Sequence, residues 1–442
     1  MVDISRFANL TKLNRKNRRI LKLNLLSEFT STPGSGNTIT SAADTADGAY
    51  AGGEIITMAL TTGNTANQNK IAAVAASPFP AVGSGVTYFA TMEMKVALGT
   101  FLYATISDAV PNNLVYMQVG LSDNQVTMKA PGAADLVVSP PNWDMSQWFR
   151  LTCAVVPTGT TSYKVYYYLH YKSTATSTEA QYYIGTQTIA SSNIIPTTFT
   201  VKNGSTGAVG SATITKPRIF ELLGVILGCS TDAGYVGWCP DPNTARTFAA
   251  NTYNESRNPG IVLGRELNGD SDMFLTHARG GFLVEDMAAG QANWATVLNP
   301  AVTVIGSATN SLISALANYT AGSARDTYIA SVQALYLGMV QAALATGSIV
   351  LCQGVTPRSD TAVTGISGGV AALRTITLNW NAWMKSTLIP LGAFVTDPYS
   401  AFEDPNSLGT MLAAYDAGDH VHFSWAGHNL LGSLRQQALA GF

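Results

Sequence analysis

The chain has 442 residues, of which 46% are hydrophobic and 12% are charged, and its formal net charge is −2. This length exceeds one ordinary core and indicates two or three domains, while the hydrophobic content excludes a disordered chain. A nearly neutral protein has no global field that attracts nucleic acid, and no run of about 18 uncharged apolar residues marks a membrane helix, so neither partner is expected.

Residues 1–45 combine a basic cluster with a stretch of small polar residues, and we interpret them as an anchoring segment followed by a linker. The leucines beside the cluster are interrupted by Lys22 and Asn24, so they do not form the apolar core of a signal peptide. From 31 to 36 the chain reads STPGSG, which is a typical linker composition. The cluster is either a solvated tail or a docking peptide for a larger assembly, and it contains Lys12, Arg15, Lys16, Arg18, Arg19 and Lys22.

Residues 46–217 contain many short runs in which apolar and polar side chains alternate. Examples are YFATMEM at 88–94, LVYMQV at 114–119 and YKVYYYL at 163–169, and turn residues separate such runs. Short strands at regular intervals predict an antiparallel β-sandwich of the jelly-roll or lectin-like kind. The segment WFRLTCAV at 148–155 resembles a strand of concanavalin-like sandwiches, which implies either carbohydrate binding or an inert spacer.

From 218 to 442 the pattern changes to buried strands that alternate with helices. Continuous apolar runs at 222–227, 301–305 and 348–352 are typical of strands buried on both faces of a parallel sheet. A helical stretch at 327–345 lies between the last two runs. This alternation predicts an α/β domain.

Three residues of this region have the chemistry of a serine hydrolase. Ser230 follows the first predicted strand among small residues, where a tight turn can expose its hydroxyl and direct backbone N–H groups at an oxyanion. Asp419 and His422 are three residues apart on one loop, so the carboxylate can fix the tautomer of an imidazole that accepts the serine proton. Asp232 and Asp416 are alternative acids, but the spacing favours Asp419.

The four cysteines match no zinc motif, and no other His/Asp cluster has ligand spacing, so we expect neither a metal nor a cofactor. Cys153 and Cys352 lie in apolar strand patterns that are typical of buried thiols. Cys229 and Cys239 can approach each other around a turn, so their redox state stays open.

Four blocks, taken in order, resemble those of the SGNH or GDSL serine hydrolases, which are mostly esterases, lipases and carbohydrate deacetylases. The blocks read GCS at 228–230 with a glycine at 234, GGF at 280–282, ATN at 308–310, and DHVHFSWAG at 419–427. The resemblance implies a flavodoxin-like three-layer α/β/α fold. It also implies a triad in which Ser230 is the nucleophile and Asp419 and His422 are its partners.

The same resemblance implies an oxyanion hole made of the backbone N–H groups of Ser230 and Gly281 and the side-chain amide of Asn310. The chain departs from the family pattern at two positions. Cys229 replaces an aspartate that supports the nucleophile turn, and Ala308 replaces a glycine. We therefore expect a slow esterase, in which Cys229→Asp leaves the protein folded and no slower.

The order of a basic N-terminal segment, a sandwich and a hydrolase resembles that of phage tail-fibre and tail-spike proteins. It implies a virion-associated esterase, acting as a carbohydrate O-deacetylase on a host surface glycan. Such a protein would contact other virion proteins through its N-terminus, form a homotrimer, be made in the host cytoplasm and act extracellularly from the tail. The alternative is a non-catalytic receptor-binding or structural virion protein that retains the hydrolase fold.

Overall fold

The computed structural model divides into two compact units, one ending at Glu221 and the other beginning at Leu222. The basic residues at 12–19, the glycine at 234 and Cys239 lie outside the described part of the chain. The structure describes residues 20–22, 26–43, 54–61, 68–74, 87–97, 99–107, 113–120, 124–130, 133–140, 143–158, 162–171, 180–190, 198–205, 209–232, 274–278 and 280–439.

The larger antiparallel sheet of the first unit has eight strands in the part of the chain that the structure describes. They are Ile20–Lys22 (β1), Thr38–Ala43 (β3), Glu54–Ala59 (β4), Tyr88–Val96 (β6), Phe149–Pro157 (β11), Ser162–Tyr171 (β12), Ala180–Ala190 (β13) and Ser211–Glu221 (β15). Their order is β13-β12-β11-β6-β15-β4-β3, and β1 pairs with β15. Because β15 continues to Glu221, the strand passes the boundary that the sequence suggested at 217.

The smaller antiparallel sheet has seven strands in the described residues. They are Thr30–Thr32 (β2), Asn69–Val74 (β5), Thr100–Ser107 (β7), Asn113–Val119 (β8), Val126–Lys129 (β9), Leu136–Val138 (β10) and Thr198–Ser205 (β14). Their order is β10-β9-β8-β7-β14-β5-β2.

One hydrophobic core joins the two sheets of the first unit. Side chains alternate along β7, so Leu102 and Ile106 are buried while Tyr103 is partly exposed. Met92 and Met94 of β6, in the other sheet, belong to the same core. The alternating runs of the sequence therefore give each sheet one apolar face, and the two faces pack together.

The segment interpreted as a linker is instead part of these sheets. Strand β2 pairs with β5, and β3 pairs with β4. The buried Asn69 holds the turn between β2 and β3, because its side chain accepts from the Gly34 N–H (2.9 Å) and donates to the Thr38 carbonyl (3.2 Å). The small polar residues at 33–36 therefore form a tight turn between two strands. The anchor expected within residues 1–45 stays a prediction for the residues before β1, which lie outside the described part of the chain.

The second unit contains a parallel sheet, so the predicted change from antiparallel to parallel pairing is confirmed. Its strands are Gly224–Gly228 (β16), Phe274–Ala278 (β17), Val302–Ile305 (β18), Ile349–Gln353 (β19) and Phe394–Thr396 (β20). The order β17-β16-β18-β19-β20 is that of flavodoxin-like sheets. The next strand in the sequence, β17, lies on one side of β16, and β18 lies on the other side of β16. The topological switch point is therefore between β16 and β18.

Helices cover both faces of this sheet. They are Val284–Gln291 (α1), which continues into a π-helical turn at Ala292–Thr296, then Thr309–Asn318 (α2), Ser323–Ala345 (α3), Thr361–Thr364 (α4), Gly369–Leu388 (α5), Tyr399–Phe402 (α6) and Trp425–Leu439 (α7). Cys352 of β19 contacts Tyr336 of α3, whereas its neighbour Gln353 contacts Arg435 of α7. Because successive strand residues point to opposite faces, α3 and α7 lie on opposite faces of the sheet.

Helix α3 is long and apolar enough to cross a membrane by length and composition alone. However, the Tyr336 hydroxyl donates to the carbonyl of Ile305 in the parallel sheet at 2.9 Å. The buried residues of α3 follow helical spacing along one face and are Val332, Tyr336, Met339, Val340 and Ala343. The apolar face of α3 therefore packs on the sheet.

Candidate active site

Ser230 lies at the switch point of the parallel sheet. It follows the last residue of β16 by two positions, and Asn310 lies in the first turn of α2, just after β18. In open α/β sheets, ligands bind in the crevice outside the carboxyl ends of the strands at this point. The topology therefore brings the first and third blocks of the sequence to the same edge of the sheet.

Ser230, His422 and Asp419 form a continuous chain of hydrogen bonds. His422 Nε2 lies 2.8 Å from Ser230 Oγ, although the two residues are 192 positions apart. On the other side of the ring, His422 Nδ1 lies 2.5 Å from Asp419 Oδ2. Both distances are within the range in which a proton can be transferred.

The loop that carries Asp419 and His422 is held by its own backbone. Asp419 Oδ1 accepts hydrogen bonds from the N–H groups of Val421 (3.0 Å) and His422 (2.8 Å). Gly418 and His420 both have left-handed backbone conformations, with φ values of 97° and 62°. These turns allow the acid and the base to face each other across three positions of sequence.

The environment of Asp419 fixes the tautomer of His422. Partial burial raises the pKa of the Asp419 carboxyl, but the hydrogen bonds and charge of His422 and the Val421 N–H outweigh it and hold the pKa well below its ordinary value. An ionised carboxylate only accepts hydrogen bonds, so Nδ1 of the ring carries the proton. Nε2 then accepts a hydrogen bond from the Ser230 hydroxyl, which is the arrangement that a general base requires.

Two of the predicted oxyanion residues, Gly281 and Asn310, belong to segments that contact each other. Asn310 Nδ2 donates to the carbonyl of Phe282, next to Gly281, at 3.0 Å. Gly281 has a φ of 83°, and a Cβ atom there would meet nothing within 4 Å. Glycine is therefore required at 281 for the backbone conformation rather than for space.

Arg358 orients the Asn310 amide, a role that the sequence analysis did not assign. Its Nη1 donates to Asn310 Oδ1 at 3.2 Å, while Nε and Nη2 bind the two carboxylate oxygens of Asp360 at 2.8 and 2.9 Å. With its oxygen turned to the guanidinium, the amide directs its Nδ2 group to the Phe282 side. The only signal in the sequence is the position of Arg358, directly after Pro357 and close to the end of β19.

The two departures from the family pattern have little local cost. Burial, followed by the nearby Asp232 charge, raises the pKa of the Cys229 thiol to about 11, so this residue stays a neutral thiol. Cys229 is a free cysteine, not half of a disulfide. Ala308 is buried and has a φ of −80°, a conformation that any L-residue adopts without strain.

The alternative acids have partners other than His422. Asp232 is completely buried and forms an ion pair with Arg435. Asp416 Oδ2 lies 2.6 Å from Nδ1 of the exposed His420. Sequence reasoning missed Arg435, although a signal exists: in α7 it lies on a buried stripe that also contains Leu431 at i−4 and Leu439 at i+4.

No family model matches the sequence, and comparison with curated proteins also finds no match. Solved structures of GDSL-type hydrolases are similar to about half of the chain. A lipase/acylhydrolase from Enterococcus faecalis is 17% identical, with 50% of this chain and 96% of that chain covered and a TM-score of 0.35. A GDSL-like lipase from Bacteroides thetaiotaomicron is 15% identical, with 49% and 87% covered and a TM-score of 0.35. A catalytic mutant of an acetylxylan esterase from Geobacillus stearothermophilus is 15% identical, with 49% and 94% covered and a TM-score of 0.35.

Proposed function

We propose that the unit beginning at Leu222 is a serine esterase of the SGNH type. The observation that carries this proposal is the hydrogen-bonded chain from Asp419 through His422 to Ser230. Its position at the switch point of an α/β sheet supports the proposal, because ligands of such sheets bind there. The contact between Asn310 and the segment of Gly281 supports the proposed oxyanion hole, because these two proposed donors belong to neighbouring segments.

In the proposed reaction, His422 Nε2 takes the Ser230 hydroxyl proton while Oγ forms a bond to the acyl carbon of the ester. The electron pair of the carbonyl moves to its oxygen, and N–H groups of Ser230 and Gly281 with the Asn310 amide stabilise the oxyanion. Collapse breaks the ester C–O bond, and the leaving alcohol takes the proton from His422. Water then attacks the acyl-serine by the same route and releases the carboxylic acid.

The substrate class that we propose is an O-acyl ester, such as an O-acetyl group, on a host surface glycan. The first unit would be a jelly-roll or lectin-like sandwich that positions the polysaccharide. Partly exposed tyrosines on its smaller sheet support this role, because the rings of Tyr103 and Tyr116 lie 5.3 Å apart and Lys202 Nζ lies 5.5 Å from the Tyr103 ring. Amphipathic rings of this kind offer apolar faces and polar tips to a ligand.

Hydrolysis of p-nitrophenyl acetate, acetylated xylan and other acetylated glycans tests the proposed activity. We expect the wild-type protein to release acetate, and Ser230→Ala to abolish formation of the acyl-enzyme. If purified wild-type protein hydrolysed none of these esters, a non-catalytic receptor-binding or structural role would replace the esterase proposal.

Asn310→Ala should lower kcat by about 100-fold or more while leaving KM nearly unchanged, because the variant loses one oxyanion donor. Initial rates over a range of ester concentrations separate the two constants. Asn318→Ala, at the other end of the same helix and with its side chain bonded to Ser314, is the matched control and should retain wild-type kcat. An equal loss of kcat in both variants would contradict a role for Asn310 in the reaction.

The cellular setting that we propose is the tail of a virion, where the protein would be a homotrimer attached through its basic N-terminal segment. Because β1 begins at Ile20 and pairs with β15, the deletion that tests this idea removes only residues 1–19. The truncated protein should fold and hydrolyse esters normally but fail to enter particles, as measured by its content in purified virions. Normal incorporation of the truncated protein would argue against this anchor.

A further inference from the structure

The buried carboxylate of Asp232 is hydrogen-bonded to the turn that carries Ser230. Asp232 Oδ2 accepts a hydrogen bond from the Cys229 N–H at 3.3 Å, and the Asp232 N–H donates to the Cys229 carbonyl at 3.1 Å. These two bonds join the residues on either side of Ser230. The conformation of the turn that presents the Ser230 hydroxyl therefore depends on the position of Asp232.

Two glycines leave the space that this carboxylate fills. A Cβ atom on Gly228 would lie 2.4 Å from Asp232 Oδ2, and one on Gly306 would lie 2.2 Å from the same atom. Gly228 ends β16, and the Gly306 N–H donates to the Leu227 carbonyl at 2.7 Å. The carboxylate thus sits between the two strands that flank the switch point.

Arg435 connects the same carboxylate to the segment that follows the acid–base loop. Its Nη2 donates to Asp232 Oδ1 at 2.5 Å and also to Gln353 Oε1, at the end of β19. All three side chains are completely buried. Helix α7, which carries Arg435, begins at Trp425, only three residues after His422. A single guanidinium therefore joins the nucleophile turn to the helix that anchors the base.

Stability is a poor explanation for such a pair. Removing two charges from water has a large free-energy cost, and replacing a buried ion pair by apolar side chains of similar size is often neutral or stabilising. What the pair provides here is a fixed geometry between two segments that are far apart in sequence, since Asp232 and Arg435 are separated by 203 positions.

We propose that Asp232 and Arg435 are positioning residues that hold the Ser230 hydroxyl at hydrogen-bonding distance from His422. In this proposal, which rests on the proposed esterase function, Asp232 supplies the carboxylate that Cys229 does not. The expectation for Cys229→Asp is then reversed. Because Cys229 Sγ already lies 3.9 Å from Asp232 Oδ2, a second carboxylate at 229 would be repelled and should slow the enzyme.

Two neutral double variants test the proposal. Asp232→Leu/Arg435→Met removes both charges and the acceptor of the Cys229 N–H, so we expect kcat to fall by about 100-fold with KM nearly unchanged. Asp232→Asn/Arg435→Met also removes both charges but retains a side-chain oxygen for that N–H, so we expect a loss of only about tenfold. The rate of labelling by a fluorophosphonate should also fall more in the first double variant than in the second, because this rate measures the reactivity of Ser230 without a bound substrate.

The control is a partly buried ion pair in the first unit, Arg150 with Glu93 at 3.1 Å. Glu93→Gln/Arg150→Met makes the same kind of change away from the triad and should retain wild-type kcat. Thermal unfolding establishes that each protein is folded at the assay temperature. If Asp232→Leu/Arg435→Met is unfolded there, the kcat of Asp232→Asn/Arg435→Met alone tests the positioning role.

Wild-type kcat in a folded neutral variant would overturn the positioning role while leaving the esterase intact. A wild-type protein that neither hydrolyses esters nor reacts with the fluorophosphonate would instead overturn the proposed function, and this inference with it.

Discussion

Replacing His422 with alanine should lower kcat for ester hydrolysis by roughly 10⁶-fold, the size of the loss found when the base of a serine triad is removed. His422 is the side chain in contact with Ser230 Oγ, at 2.8 Å. Without it, the serine hydroxyl has no acceptor for its proton while Oγ attacks. The residual rate would come from the oxyanion donors and from substrate binding, which the substitution leaves in place.

The neighbouring His420 provides the matched control for this variant. It lies on the same loop and also contacts an aspartate, but its side chain is 60% exposed and its partner is Asp416. Rates of acetate release from both alanine variants, at saturating substrate, make the comparison. Comparable losses in the two variants would mean that the loop, rather than the base, determines the rate.

Asp419→Asn should lower kcat by about 10⁴-fold, because the amide no longer enforces the productive tautomer of the imidazole. Asp419 keeps its charge in the folded protein, since the hydrogen bonds from His422 and Val421 hold the pKa of its carboxyl well below the ordinary value. The asparagine can still accept the two backbone N–H bonds of the loop, so the fold should persist. Its Nδ2 group, however, would donate to Nδ1 and place the ring proton on Nε2, facing Ser230.

Asp416→Asn is the corresponding control for the acid. Asp416 Oδ1 accepts from the N–H groups of Gly418 and His420, and an asparagine oxygen can do the same. We expect a much smaller loss of kcat than in Asp419→Asn, measured at several pH values to exclude a simple shift of the pH optimum. A wild-type rate in Asp419→Asn would remove this residue from the triad.

The sequence was sufficient to predict the parallel sheet and the residues at its edge because those signals are local. The run LLGVIL at 222–227 is too apolar for a strand with an exposed face, and β16 is indeed buried throughout. The spacing of Asp419 and His422 also describes a local structure, since the loop between them folds on its own backbone hydrogen bonds.

Side-chain contacts between residues that are far apart in the sequence could not be predicted in the same way. Asp232 follows Ser230 closely and resembles a candidate acid, but its role depends on Arg435, 203 positions away. The turn at 33–36 has a linker composition because tight turns use the same residues as linkers, and the hydrogen bond from its Gly34 N–H to the buried Asn69 on another strand distinguishes the two cases.

Mass spectrometry of the wild-type protein after reaction with a fluorophosphonate shows whether Ser230 is an activated nucleophile. We expect a single covalent adduct on the peptide that contains Ser230, and no adduct in the folded Ser230→Ala or His422→Ala variants. Absence of any adduct on the wild-type protein, or an adduct on a different serine, would contradict the claim that Ser230 is a nucleophile activated by His422 and Asp419.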